Sequence, residues 1–480
     1  MYPKKTITYK NYVFTLFNHF NPKLFWLETK SLKRLAIPII AGGIVNAIIP
    51  FINTAFIGHL GGDALAAGGL VNSFFVFIMV LFWGVFSTSS SLIARHEGEK
   101  NSQASSELIK TGVVLAILLS IPVIIFLHYA NRVLLFFGEP TGIVIMAHAY
   151  FQTLSFAILP DFLLTILYDL CLGLSKPRLV MIIAVVMIPL NLSLNDIFIF
   201  GLFGAPKMGI AGVGVGASIS FWIALILMST LMYLMPRFRF YFKGRQWFYA
   251  KRAKELLQVG LPVGAMWVLE VGFYAVVTLF MGRVGIIALA AHQMAFQTYM
   301  VLFNLIYNFS QAVSIRVADG AGRREPDQIR YAYLNGILFG IIASLALLLL
   351  VSFGNTMIVH FYLGAEFAAQ SALVKLTFSL LFLTPLFCLF DALGFITFAS
   401  LRAMKDTRYT MLVALVAYWF ITIPLIALGV DVIHWQNPRL LWMMMSLGAA
   451  LSFIAQGHRF IHKWRLTLDL SPKAEDNARQ

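Results

Sequence analysis

The sequence predicts an all-α polytopic membrane protein of twelve transmembrane helices, arranged as two related sets of six. Composition is the first observation behind this. The chain has 480 residues, 60% hydrophobic and 12% charged, with mean hydropathy +0.82, whereas soluble globular proteins carry roughly 25% charged residues. The second is that apolar runs of about 20 residues recur along nearly the whole length, and in lipid only helices or closed barrels satisfy the backbone. The runs do not alternate in polarity, so they are helices. The third is an internal repeat, described below.

Taken in order, residues 1–34 are basic, with Tyr9, Tyr12, Phe14, Phe17, Phe25 and Trp26 interspersed, and read as an amphipathic cytoplasmic lead-in at the membrane interface. Spans follow at approximately 35–57, 66–92, 108–129, 143–170, 178–201 and 209–235, which form an N-terminal lobe over 35–235. Residues 236–255, PRFRFYFKGRQWFYAKRAKE, are a basic, aromatic cytoplasmic linker. Six more spans, at approximately 256–281, 286–315, 331–353, 371–400, 409–430 and 440–462, form a C-terminal lobe over 256–464, and 465–480 is a polar cytoplasmic tail. Of the 36 Lys and Arg residues, all but Arg132, Lys207, Arg283, Lys375 and Arg439 fall on one side of this arrangement. The positive-inside rule therefore places both termini in the cytoplasm.

The halves overlay without a gap over their first spans. Pro38 meets Pro262, Gly58 meets Gly282, Gly61 meets Gly285, Ala64-Leu65-Ala66-Ala67 meets Ala288-Leu289-Ala290-Ala291, Ser90 meets Ser314 and Gly98 meets Gly322. Later Lys176 meets Lys405, the second half having gained a few residues. Six spans per repeat is an even number, so both insert with the same orientation about an axis along the membrane normal, as in alternating-access transporters.

The net charge of +15 lies in short connections rather than in a basic domain, which argues against a nucleic-acid partner. Cys171 and Cys388 sit in apolar runs and form no disulfide or metal pattern. No cleavable signal is read at the N-terminus. A membrane-embedded enzyme would need a convergent catalytic set, and the ten histidines are scattered. A flippase for a lipid-linked precursor shares the repeat logic but would require deep cations for a pyrophosphate, and the deep charges here are acidic.

Those acids are Asp161, Asp169, Asp196, Glu270 and Asp391. A charge at the centre of a membrane helix costs roughly 2.5–3.5 kcal/mol on insertion scales, so each is a functional candidate. Asp169 and Asp196 lie near span ends, within reach of an interface, and Asp161 follows Pro160 inside span four. Glu270 and Asp391 are the better pair. Tyr274 lies one turn beyond Glu270 on the same face. Asp391 follows Pro385, which should free a carbonyl one turn earlier, and a carbonyl beside a carboxylate suits a hard cation or a proton relay. Burial favours the neutral form of a carboxylate and a bound cation favours the charged form, so one acid site can hold a proton, a metal ion or an organic cation in competition. In the first half Asn46 takes the place of Glu270, and the deep polar residues are amides: Asn46, Asn53, Asn191 and Asn195, the last two at i and i+4. Amides coordinate but do not titrate. His292, in Ala-Ala-His-Gln, is either a core hydrogen bonder or a participant in proton traffic.

These residues carry a resemblance over about Leu35 to Trp464. Leu35-Ala36-Ile37-Pro38, Lys176-Pro177-Arg178, Ile188-Pro189-Leu190-Asn191, Ile197-Phe198-Ile199-Phe200-Gly201 and Gly209-Ile210-Ala211-Gly212-Val213-Gly214 in the first half, with Gly260-Leu261-Pro262, Ala290-Ala291-His292-Gln293, Ala312-Val313-Ser314-Ile315-Arg316-Val317 and Ser400-Leu401-Arg402 in the second, resemble the MATE (multidrug and toxic compound extrusion) transporters of the NorM-like branch. The resemblance implies two six-helix lobes around a central cavity and export of amphipathic organic cations in exchange for sodium ions or protons. It places Glu270 and Asp391 at cation-coupling positions, where they would ligate metal only if the ion is sodium. It implies a monomer in a bacterial cytoplasmic (inner) membrane, with the lipid bilayer as setting and no cofactor beyond the coupling ion. Tyr274, His292 and Gln293 would line the same lobe. The family's first-lobe aspartate is Asn53 here, a site acidic in some relatives is Asn195, and the tyrosine one turn before the span-ten aspartate is Phe387. The titrating work therefore falls on Glu270 and Asp391.

Overall fold

A computed structural model describes residues 20–367 and 370–469. The first part of the lead-in and the end of the tail lie outside those residues. Among the described residues the chain is helical without strands, and twelve helices are long and apolar enough to cross a membrane. They are α1 (Pro22–Gly58), α2 (Gly62–Gly98), α3 (Ser102–His128), α4 (Thr141–Gly173), α5 (Pro177–Phe200) and α6 (Ile210–Leu234), followed by α7 (Ala250–Val284), α8 (Ile286–Arg323), α9 (Pro326–Leu363), α10 (Ser371–Ala403), α11 (Thr407–Val432) and α12 (Pro438–Leu468).

Several helices outrun their apolar stretches. α1 starts at Pro22, its end capped by the Asn21 side chain, which accepts from the Lys23 amide at 3.0 Å. The described part of the lead-in from Pro22 on thus forms the first turns of a spanning helix, because continuing the helix satisfies backbone groups that a break would expose. The linker's last residues likewise begin α7, and a short helix, Pro236–Phe242, precedes them.

Two compact units emerge. The first is Ile37–Val268; the second joins the described residues before Ile37 to those from Leu269 on. The divisions pass through α1 and α7 themselves, so each of these continuous helices contributes one stretch to each unit.

In the first unit α4 is central, packed by α2, α3 and α6. Phe86, Phe151 and Phe162 are fully buried there, with the Phe86 and Phe162 rings 5.1 Å apart. Small residues let backbones meet: a methyl group on Gly84 would lie 2.5 Å from the Cα of Gly264, and one on Gly260 2.7 Å from the Val85 carbonyl. In the second unit α10 holds the equivalent place among α8, α9 and α12. Both central helices are interrupted at matching points, α4 at Ser155–Ala157 before Pro160 and α10 at residues 382–383 before Pro385.

Candidate functional site

The second unit gathers its acids around phenols. Glu270 and Tyr274 lie at i and i+4 on α7, and the Tyr274 hydroxyl donates to Glu270 Oε1 at 3.2 Å. α8 brings Tyr299, whose hydroxyl donates to Oδ2 of Asp391 on α10. The Tyr274 phenol also lies within electrostatic reach of Tyr299 and Asp391, so the four groups form one cluster. Glu270 is 7% and Asp391 3% exposed, and Tyr299 is fully buried. Neither acid forms an ion pair among the described residues. Two buried carboxylates held by phenols can accept a proton or a metal ion.

Aromatic rings close the cluster. Phe387, one turn before Asp391, packs edge-on against Tyr299 at 4.9 Å, Tyr274 at 6.3 Å and Trp442 at 5.9 Å. α11 contributes through π-helical winding over Leu415–Thr422, a geometry frequent at functional sites. Its Tyr418 stacks on Phe273 at 4.7 Å, and its Trp419 indole donates to the Leu269 carbonyl at 2.9 Å, next to Glu270 in the chain. Gly272 leaves room for that indole, because a methyl group there would sit 3.0 Å from the Trp419 ring. His292 is buried, with Nε2 3.2 Å from Thr278 Oγ1, and stacks on Phe296, which also contacts Tyr274. The Thr278 hydroxyl donates to the Tyr274 carbonyl at 2.9 Å, so in the same arrangement His292 donates through Nε2.

The first unit holds a different constellation. Asn195 Nδ2 donates to Asn53 Oδ1 at 2.7 Å and to Asn191 Oδ1 at 3.1 Å, with Asn191 and Asn195 fully buried. Gly216 admits the pair, since a methyl group on it would lie 2.5 Å from Asn195 Oδ1. On α4, Asp161 accepts from Trp83 Nε1 at 2.8 Å.

The structure places four sequence-predicted features. Asn46 is exposed and outside the amide cluster, so it matches Glu270 in sequence but not in environment. Gln293 is exposed while His292 beside it is buried, because neighbours on a helix point to different sides. Asp169, expected to reach an interface, is buried. The carbonyl freed by Pro385, that of Leu381, accepts from the Thr384 hydroxyl at 2.6 Å and lies roughly 15 Å along the helix from Asp391. A local hydroxyl cap satisfies it, so it is not a ligand beside the acid. Sequence reading also missed Tyr299 and Trp442. Tyr299 was within reach of a signal, since His292, Phe296 and Tyr299 fall at i, i+4 and i+7 on one face of α8.

The MatE family model matches residues 38–197 and 262–428, one segment in each repeat, each opening at its span-leading proline. This chain belongs to the MatE family. A relative from Pseudomonas aeruginosa, a probable multidrug resistance protein NorM, is 30% identical over 450 residues, covering 93% of this chain and 91% of its own. One of the same description from Synechocystis is 29% identical over 400 residues, covering 82% and 86%. Solved structures of the same fold include an outward-facing multidrug resistance MATE family transporter of the MOP superfamily, with TM-score 0.80, 18% identity and coverage of 91% of this chain and 96% of that one. The eukaryotic MATE transporter AtDTX14 gives 0.79 at 20% identity, covering 92% and 99%. This MatE protein is a multi-pass membrane transporter rather than an enzyme.

Proposed function

We propose that this MatE protein is a cation-coupled antiporter that exports amphipathic organic cations by alternating access across a bacterial inner membrane, with both termini cytoplasmic. The observation that carries this is the phenol-held pair Glu270 and Asp391, buried and without a cationic partner among the described residues. Such a pair holds a coupling ion, sodium or a proton, and releases it when an organic cation competes for the same negative charge. The names of the relatives, multidrug resistance proteins, support the substrate class. The first unit's cluster offers only amides, so it positions helices and does not titrate.

The test is transport of a fluorescent organic cation by protein in liposomes, driven by an imposed sodium gradient or by a pH gradient alone. Export under one gradient, abolished in a Glu270→Gln, Asp391→Asn double variant, is expected. Export that survives the double substitution refutes the reading.

A further inference from the structure

The first unit contains a cavity of about 550 Å³ that the transport reading does not use. It lies between α3, α4, α6 and the start of the linker. Leu163, Leu167, Leu225 and Met232 make its wall apolar, and its lining runs along α6 from Leu225 to Tyr233, a length of roughly 12 Å. The linker end of the same cavity is different. Arg239, Lys243 and Trp247 stand there, with the Arg239 guanidinium over the Tyr233 ring at 4.8 Å.

Among the described residues no carboxylate answers those cations. Arg239 donates through Nε to the Tyr233 carbonyl, and neither it nor Lys243 forms an ion pair among the described residues. The linker's one acid, Glu255, is taken by Arg252 at 2.9 Å and by His96 at 3.2 Å. A third cation stands close by. Lys110 of α3, only 2% exposed, donates to the Lys243 carbonyl, and Glu107, one turn earlier on α3, is engaged by Arg252 at 3.1 Å. A slot that is apolar along a spanning helix and cationic at the membrane surface, with aromatic rings at the boundary, matches one chemistry: an acyl chain ending in a negatively charged phosphodiester.

We propose that this cavity binds one anionic phospholipid, its acyl chain along α6 and its phosphate on Arg239 and Lys243, holding the linker helix Pro236–Phe242 against α3 and α6.

The probe is phosphatidylglycerol added to the purified full-length protein in neutral detergent, with phosphatidylcholine of the same chains and chain-free glycerol phosphate as comparisons. Native mass spectrometry counts bound lipid and thermal unfolding reads its effect. The expected result is one retained phosphatidylglycerol and a rise in midpoint of roughly 2–4 °C, with no effect of the other two compounds. Arg239→Gln with Lys243→Gln should weaken the lipid's apparent affinity roughly tenfold to thirtyfold. Ser229→Trp, which fills the cavity from an exposed lining position, should abolish retention and also serves if the double variant does not fold. Equal retention of phosphatidylcholine, an equal shift with glycerol phosphate, or full phosphatidylglycerol retention in either variant would overturn the proposal.

Discussion

The Tyr299 hydroxyl on α8 donates to Asp391 on α10, so the acid of one helix is held by the phenol of another. A hydrogen bond to a charged group contributes roughly 1.5–3 kcal/mol. Tyr299→Phe should therefore change coupling-ion affinity by roughly tenfold to a hundredfold while leaving the fold intact, since the ring contacts with Phe387 and Phe303 persist. Initial export rates titrated against the driving ion check this. Unchanged ion dependence would remove Tyr299 from the site.

The two acids should act as a unit. Glu270→Gln and Asp391→Asn, each alone, are expected to lower gradient-driven export at least about tenfold, and together little further, because groups that act together are non-additive. Membrane abundance measured alongside separates this from loss of folding.

The amide cluster predicts the opposite pattern. Asn53→Ala leaves the buried Asn195 amide with Asn191 as its remaining partner, which should cost about 1–2 kcal/mol of stability and leave the ion dependence of export unchanged. Thermal unfolding paired with an ion titration distinguishes the outcomes. A shifted ion dependence would bring the first unit into coupling.

Glu28, on the first turns of α1, is held in two bonds by Arg316 of α8 at 2.7 and 2.6 Å. The Asn21 amide donates to the Tyr331 hydroxyl at 2.8 Å, and Thr29 to Asn335 at 2.6 Å. Glu28→Gln should lower stability by roughly 1.5–3 kcal/mol, because it removes the charge from a bidentate pair that is 8% and 21% exposed. A fall in unfolding midpoint well below that of a surface Glu→Gln control is the expected readout.

In the linker, Tyr241 donates to Glu97 at 3.1 Å, and burial, followed by the Glu97 charge, pushes its hydroxyl up from 10.0 to about 12. A raised folded value means that the contribution is whole below pH 10 and is lost as pH rises through about 12. Unfolding midpoints should fall more steeply over that window for the parent chain than for Tyr241→Phe, and equal slopes would show that the contact does not persist in solution.

What the sequence determined by itself was the part governed by one-dimensional rules. Twelve helices follow from apolar runs that must satisfy their backbone in lipid, and the repeat follows from one overlay anchored at Pro38 and Pro262, the two residues at which the family matches open. Glu270 and Asp391 stood out because charge is costly at that depth. Spacing within one helix paired Glu270 with Tyr274 and Asn191 with Asn195. Contacts between helices were not legible, because they depend on how each helix is rotated and where its neighbours stand. Only tertiary structure set Tyr299 on Asp391, buried His292 while exposing Gln293, left Asn46 outside the amide cluster and capped the Leu381 carbonyl with Thr384. A helix's sequence fixes which residues share a face. Packing alone decides which face meets the acid, and that decision brought two isolated carboxylates into one phenol-held cluster.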